Sequence, residues 1–97
     1  MPRPRKYRRV CCNPSANYFK PRGIPVYTLE EIILEYDELE SLRLADLLGY
    51  SHEDSAAEMK ISRATFGRIL ENARKKVADG ILNGKAIRIN DERSSRN

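Results

Sequence analysis

Ninety-seven residues, 40% of them hydrophobic and 33% charged, suit one small domain with little apolar surface to bury. No run approaches the roughly 18 apolar residues of a membrane span, and the Arg-rich start lacks the apolar stretch of a secretory signal, so a cytoplasmic location is expected. The net charge of +4 is spread unevenly: residues 1–29 hold seven basic residues and no acid, 30–59 hold ten acids against Arg43, and 60–76 hold six basic residues against Glu71. Such segregation predicts that a polyanion meets specific parts of the molecule.

All five prolines (Pro2, Pro4, Pro14, Pro21, Pro25) fall in the first 25 residues. Proline removes an amide donor and disfavours helix in the residue before it, so residues 1–26 read as an extended arm and loop. The arm cations Arg3, Arg5, Lys6, Arg8 and Arg9 are candidates for phosphate contact, along a backbone or in a minor groove. RNA is a competing partner, because Arg-rich segments with aromatics bind it as well. The plainer reading is a solvated basic tail. Tyr18 and Phe19 are placed to pin part of this region to the domain. Cys11 and Cys12 are adjacent, which makes a bridge between them strained, and with His52 as the single histidine they fall short of a zinc site within one chain. They read as reduced thiols, with a metal or redox sensor completed across a dimer as the alternative.

The ordered domain is expected over residues 27–89, followed by a polar tail over 90–97. "EIILE" (Glu31 to Glu35) and "KAIRI" (Lys85 to Ile89) could pair as a short two-stranded ribbon joining its ends. A first helix is predicted from about Asp37 to Leu48. Asp37 and Glu38 favour its N-terminus, and Gly49 suits the position just past its end. Its apolar residues Leu39, Leu42, Leu44, Ala45, Leu47 and Leu48 cover more than one stripe, which predicts a scaffold helix packed on several sides. "SHED" opens the next helix: Ser51 caps it, and Asp54 stands in the reciprocal position of a capping box. This helix runs from about His52 to Met59, with Ala56 and Met59 inward. Ser62 caps again 11 residues after Ser51, and the two brackets around a tight turn give the layout of a helix-turn-helix.

The second helix of the pair starts at Arg63 and can continue to Leu82 despite Gly80, with Asn83 and Gly84 as the stop. At about 100° per residue, Phe66, Ile69, Leu70, Ala73 and Val77 form the core stripe. Ala64, Arg68, Glu71, Asn72 and Lys75 lie opposite, with Arg63, Arg74 and Lys76 on the flanks. The N-terminal part of such a helix reaches base edges in the major groove. Arg63, Ala64, Arg68 and Asn72 are therefore the base-edge candidates. Arg63 and Arg68 suit guanine through two parallel donors, and Asn72 suits adenine. Ser62, Thr65, Arg74, Lys75 and Lys76 are the phosphate candidates. Glu71 fits this face least well, unless it accepts from cytosine or orients Arg68 or Lys75. A solvated, charge-laced helix is the bland alternative for the same face.

The stretches "MPRPRKYRRVCC" and "LRLADLLGYSHEDSAAEMKISRATFGRILENARKKVADGILNGKAIRI" resemble an uncharacterised prokaryotic family of small predicted DNA-binding proteins, domain-of-unknown-function family 134, over about residues 1–89. The segment "SHEDSAAEMKISRATFGRIL" also resembles the helix-turn-helix of region 4 of sigma-70-type factors. The resemblance implies a mainly α fold without a wing, with a recognition helix beginning at Arg63 and with Arg68 and Asn72 on its outer face. The chain departs from the sigma-like pattern at Lys60, where glycine or asparagine is common, and at Ser55, where an apolar residue is usual. Lys60 is then expected in a left-handed conformation, and Ser55 is expected to weaken the local core.

These observations predict sequence-specific binding of double-stranded DNA and transcriptional regulation, with no cofactor and no enzymatic role. The alternatives are a sigma-like interaction module that contacts RNA polymerase, or the metal- or redox-responsive regulator using Cys11 and Cys12. A homodimer is compatible with the motif, although no zipper is visible.

Overall fold

The computed structural model describes residues 16–90. In chain order the elements are β1 (Tyr18–Phe19), a single 3₁₀ turn (Val26–Thr28), β2 (Glu31–Leu34), α1 (Tyr36–Leu42), α2 (His52–Met59), α3 (Arg63–Asn83) and β3 (Ala86–Ile89). The result is mainly helical with a small sheet, as the sequence predicts.

The "EIILE" and "KAIRI" runs do pair, in parallel and in register from Glu31 against Ala86 to Leu34 against Ile89. Parallel strands need a crossover between them, here the three helices. A third strand, β1, adds antiparallel to the other side of β3, with Tyr18 opposite Arg88 and Phe19 opposite Ile87. The sheet therefore has three strands in the order β1-β3-β2 rather than two, and its first strand lies within the stretch read as arm and loop. Tyr18 and Phe19 pin the chain as expected, and the Tyr18 hydroxyl donates to Glu31 at 2.8 Å.

Helix α1 opens with a capping box in which Glu35 and Glu38 serve each other's backbone amides, and Glu38 Oε1 lies 2.9 Å from the Glu35 nitrogen. After Leu42 the helix widens into a π-helical turn, Arg43–Leu47, where the Leu48 amide bonds the Arg43 carbonyl at 2.9 Å. An extra residue in a turn rotates the downstream chain by about 100°. Leu44 is buried as a result, whereas Leu47 is 77% and Leu48 47% exposed. Of the apolar residues expected to pack this helix on several sides, Leu47 and Leu48 are therefore left exposed. Gly49 closes the helix at φ +79°, the expected left-handed stop.

Two apolar clusters share α1. Leu34, Ala73 and Ile89 pack with Leu39, Leu42 and Ile87 beside the sheet, and Ala56, Phe66 and Leu70 pack with Leu42, Ala45, Met59 and Ile61. Leu42 touches both, which makes α1 the scaffold the periodicity implies. Gly80 is where α3 meets the sheet: a Cβ there would stand 2.8 Å from Ile87 Cγ1 and Cδ1.

Candidate nucleic-acid interface

The helical pair α2–α3 is built by local signals. Ser51 Oγ accepts from the Asp54 amide at 3.0 Å, and the Asp54 carboxylate makes no return bond among the described residues, so half of the anticipated box forms. Lys60 ends α2 at φ 61°, ψ 45°, and the Ile61 amide reaches back to the Ala56 carbonyl at 3.0 Å. A left-handed non-glycine residue costs roughly 1 kcal/mol, and the turn requires it. Ser62 Oγ accepts from the Thr65 amide at 3.1 Å and starts α3. Ser55 is fully buried and its hydroxyl has no hydrogen-bond partner among the described residues, a weak point in the core. His52 lies half-buried with its ring edge-on to Phe66, centroids 5.4 Å apart.

On α3 the anticipated outer residues Ala64, Arg68, Glu71, Asn72 and Lys75 are all exposed, as is Arg63, while Phe66, Leu70 and Ala73 are buried. At the front, Ser62 Oγ donates to Thr65 Oγ1 at 2.9 Å, and Arg68 Nη2 donates to the same oxygen at 3.4 Å. The Ser62 and Thr65 hydroxyls thus form a short chain that leans Arg68 toward the start of the helix.

The back half of α3 behaves differently from the expectation. Arg74 holds Asp46 with two bonds, 2.6 and 3.1 Å. Lys76 donates to the Ile33 carbonyl at 2.6 Å and to Glu38 Oε1 at 2.7 Å, and Asn72 Nδ2 donates to Glu38 Oε2 at 2.6 Å. Burial pushes the Glu38 carboxyl up, but the bonds from Lys76, the Glu35 amide and Asn72 outweigh that and hold it below the usual carboxylate range. Asp46 is likewise held low by the Arg74 guanidinium. Of the sequence-derived candidates, Asn72, Arg74 and Lys76 are therefore committed to α1, the π-helical turn and β2. A bidentate adenine contact needs the whole Asn72 amide, and half of it is already engaged.

Pairing also accounts for much of the acidic block. Glu30 meets Lys85 at 3.2 Å, Glu31 meets Arg88 at 3.3 Å, Glu35 accepts from Asn90 at 2.8 Å, and Glu40 holds Arg43 at 2.9 Å. With Glu38 and Asp46, six of the ten acids in residues 30–59 have partners within the domain. Two of these pairs, Glu38 with Lys76 and Asp46 with Arg74, join the acidic block to the basic block of α3, and the others draw on Arg43, Lys85, Arg88 and Asn90.

Among the described residues, the cations without a carboxylate partner are Lys20, Arg22, Lys60, Arg63, Arg68 and Lys75. Lys20 is spent on the Ile24 carbonyl at 2.6 Å. Four of the remaining five sit on the turn and the outer face of α3. Lys60 is the one that sequence reasoning omits, although a basic residue at the turn is the signal for it. Beside Arg68 and Lys75 lies an open groove of about 530 Å³, lined also by Glu35, Asp37, Glu38, Ile69, Glu71 and Asn72. Desolvation raises the Asp37 carboxyl, with the negative charges of Glu38 and Glu35 adding to it against two backbone bonds. The front of α3 is thus electropositive, and its middle is bordered by carboxylates. Arg3, Arg5, Lys6, Arg8, Arg9, Cys11 and Cys12 lie outside the described residues.

A family model described as "Protein of unknown function DUF134" matches residues 1–94. The chain belongs to this DUF134 family. Among its relatives are UPF0251 proteins of Desulfosudis oleivorans (57% identical over 89 residues, 92% of this chain and 64% of the relative), of Caldanaerobacter subterraneus subsp. tengcongensis (55%, 92% and 75%) and of Dehalococcoides mccartyi (55%, 92% and 76%). These relatives are longer, and the chain spans under two thirds of the first of them. No solved structure matches the chain. Among the described residues no helix is long and apolar enough to cross a membrane, and no group of three His, Cys, Asp or Glu side chains could hold a metal ion.

Proposed function

We propose that this protein binds double-stranded DNA sequence-specifically through α2, the turn and α3, which act as a helix-turn-helix of the sigma-70 region 4 type, and that it regulates transcription. The observation that carries the reading is where the unpaired cations fall. Arg74 and Lys76 at the back of α3 are neutralised by Asp46 of the π-helical turn and Glu38 of α1, whereas Lys60, Arg63, Arg68 and Lys75 are left open on the turn and on the face opposite the core. A helix of this kind fits the major groove front end first. Arg68, leaned forward by Thr65, and Arg63 are the base readers, and Ala64 allows close approach. Ser62, Thr65, Lys60 and Lys75 serve phosphate. The basic arm, Arg3, Arg5, Lys6, Arg8 and Arg9, supplies sequence-independent attraction that falls with salt.

Selection of bound duplexes from a random pool tests this reading: one enriched motif is expected, and a pool that stays random would refute it. The exposed Leu47, Leu48 and Tyr50 at the joint before α2 favour a second reading, contact with a protein of the transcription machinery. Recovery of RNA polymerase after nuclease treatment would support that reading, and loss of the interaction on Leu47→Ser would place it there.

A further inference from the structure

Among the described residues nine large hydrophobic side chains are exposed, and six of them gather at one end of the molecule. The topology puts them there. Strand β3 starts just past the end of α3, β1 runs antiparallel to it, and β2 runs parallel to it. The end of β1, the connection onward to β2 and the last turn of α3 therefore share that end. Phe19, Ile24, Val26, Tyr27, Ile81 and Leu82 are 40–88% exposed there. A groove of about 320 Å³ opens between Phe19, Pro21 and Ile87 on one side and Gly80, Ile81 and Gly84 on the other. An apolar surface of this extent marks a contact site.

Charge selects the partner. Lys20 is held by the Ile24 carbonyl at 2.6 Å, and Lys85 by Asp79 at 3.1 Å and Glu30 at 3.2 Å. Arg22, next to Pro21 of the groove wall, has no carboxylate partner among the described residues. The Glu30 side chain stays 77% exposed despite Lys85. With Lys20, Arg22 and Lys85 set against Glu30 and Asp79, this end has little net charge to attract a strongly acidic or basic partner. A second copy suits it better, because a twofold contact sets each patch against itself and offers an acid to each Arg22 and a cation to each Glu30. The area is of the right order. Six side chains so exposed present on the order of 600 Å², against roughly 800 Å² per partner in a standard interface.

We propose that two copies of this protein associate about a twofold axis at this end. Ile81 and Leu82 of each copy pack on the other's apolar surface around Phe19, and Arg22 of each copy pairs with Glu30 of the other. The contact lies at the far end of α3 from Lys60, Arg63 and Arg68, so it leaves the proposed reading front free. Joined to the DNA-binding reading, it sets two fronts on one duplex. From Ile81 to Arg68 the helix spans roughly 20 Å, so two helices meeting at their ends can hold both arginines about 34 Å apart, one turn of DNA.

Sedimentation equilibrium of the intact protein without DNA tests the contact separately from the DNA-binding reading. Wild type should be a concentration-dependent dimer. Ile81→Glu combined with Leu82→Glu changes only exposed side chains, so the helical circular dichroism should persist. Its dimer dissociation constant should rise about 100-fold or more, because each change acts twice. Leu47→Glu, in the other exposed apolar group, should leave the dimer unchanged. Arg22→Glu and Glu30→Arg should each weaken their own homodimers, and an equimolar mixture of the two should restore association, since both cross pairs are then of opposite charge. Any of three results would overturn the proposal: wild type monomeric at every concentration, a dimer that survives the double substitution or falls to Leu47→Glu, or a mixture no tighter than its components.

Discussion

One helix, α3, carries two kinds of cation, and the difference between them organises this protein. Arg74 and Lys76, on its flanks, reach to Asp46 and Glu38 and bind α3 to the scaffold helix α1 and the π-helical turn that follows it. Arg63, Arg68 and Lys75 project outward with no carboxylate partner among the described residues. A count of positive charge treats the two sets alike, but their environments do not. Glu38 is buried and receives three bonds, so removing one partner strands a charge. The outer cations are solvated, contribute little to stability, and remain available for a polyanion.

The sharpest way to break this comparison is to remove the hub of the inner set. Glu38→Gln leaves Lys76 facing a neutral amide in a mostly buried site, and should lower unfolding stability by about 3 kcal/mol, measured by urea titration. The pH dependence has a defined sign. The Glu38 carboxyl is depressed in the folded state, so its contribution is complete above its ordinary value near 4.5 and is lost as pH falls below that value. Wild type should lose stability through this window, and Glu38→Gln should show a shallower loss. Equal slopes would mean that the ion pair contributes nothing to the fold.

A test of the outer set comes next in size. Arg68→Ala should cost about 1–3 kcal/mol on a selected duplex if Arg68 reads a base, with little change on random DNA and little change in stability. Gly80→Ala tests how α3 seats on the sheet. The new methyl group would meet Ile87 at 2.8 Å, and overpacking of about 1–3 kcal/mol should exceed the helix-propensity gain of just under 1 kcal/mol. A thermal melt should show net loss, and a gain would mean that Ile87 yields freely. Ser55→Ala should stabilise by about 1 kcal/mol, because it removes a buried hydroxyl that has no hydrogen-bond partner among the described residues. The smallest effect is expected from Arg74→Ala. Its half-exposed pair with Asp46 contributes about 0.5 kcal/mol to stability, and DNA affinity should stay nearly unchanged.

Much of the fold is legible in the sequence because its signals are local. Ser51 and Ser62 cap helices, Gly49 and Gly84 stop them, and the Phe66–Leu70–Ala73 stripe marks the core face. The parallel pairing of β2 with β3, and β1 within a proline-bearing stretch, depend on contacts more than fifty residues apart, which two- and four-residue runs do not encode. The π-helical turn hides for a different reason: Leu44, Leu47 and Leu48 have the spacing of one α-helical face, and the widened turn separates them. At the candidate site the outward face of α3 follows from periodicity. The commitments of Asn72, Arg74 and Lys76 do not, since their partners lie 28 to 43 residues away. The acidic block offers a hint, because opposite charge on neighbouring elements permits pairing within the chain as readily as attraction to a partner.

The division of α3 into a structural flank and a reading face is open to one direct measurement. The affinities of wild type, Arg68→Ala and Arg74→Ala are compared on a selected duplex and on random DNA at one salt concentration. Arg68→Ala should lose roughly 5- to 150-fold on the selected duplex alone, while Arg74→Ala should match wild type on both. Equal losses from the two substitutions, or losses from Arg68→Ala that are the same on both DNAs, would contradict the division.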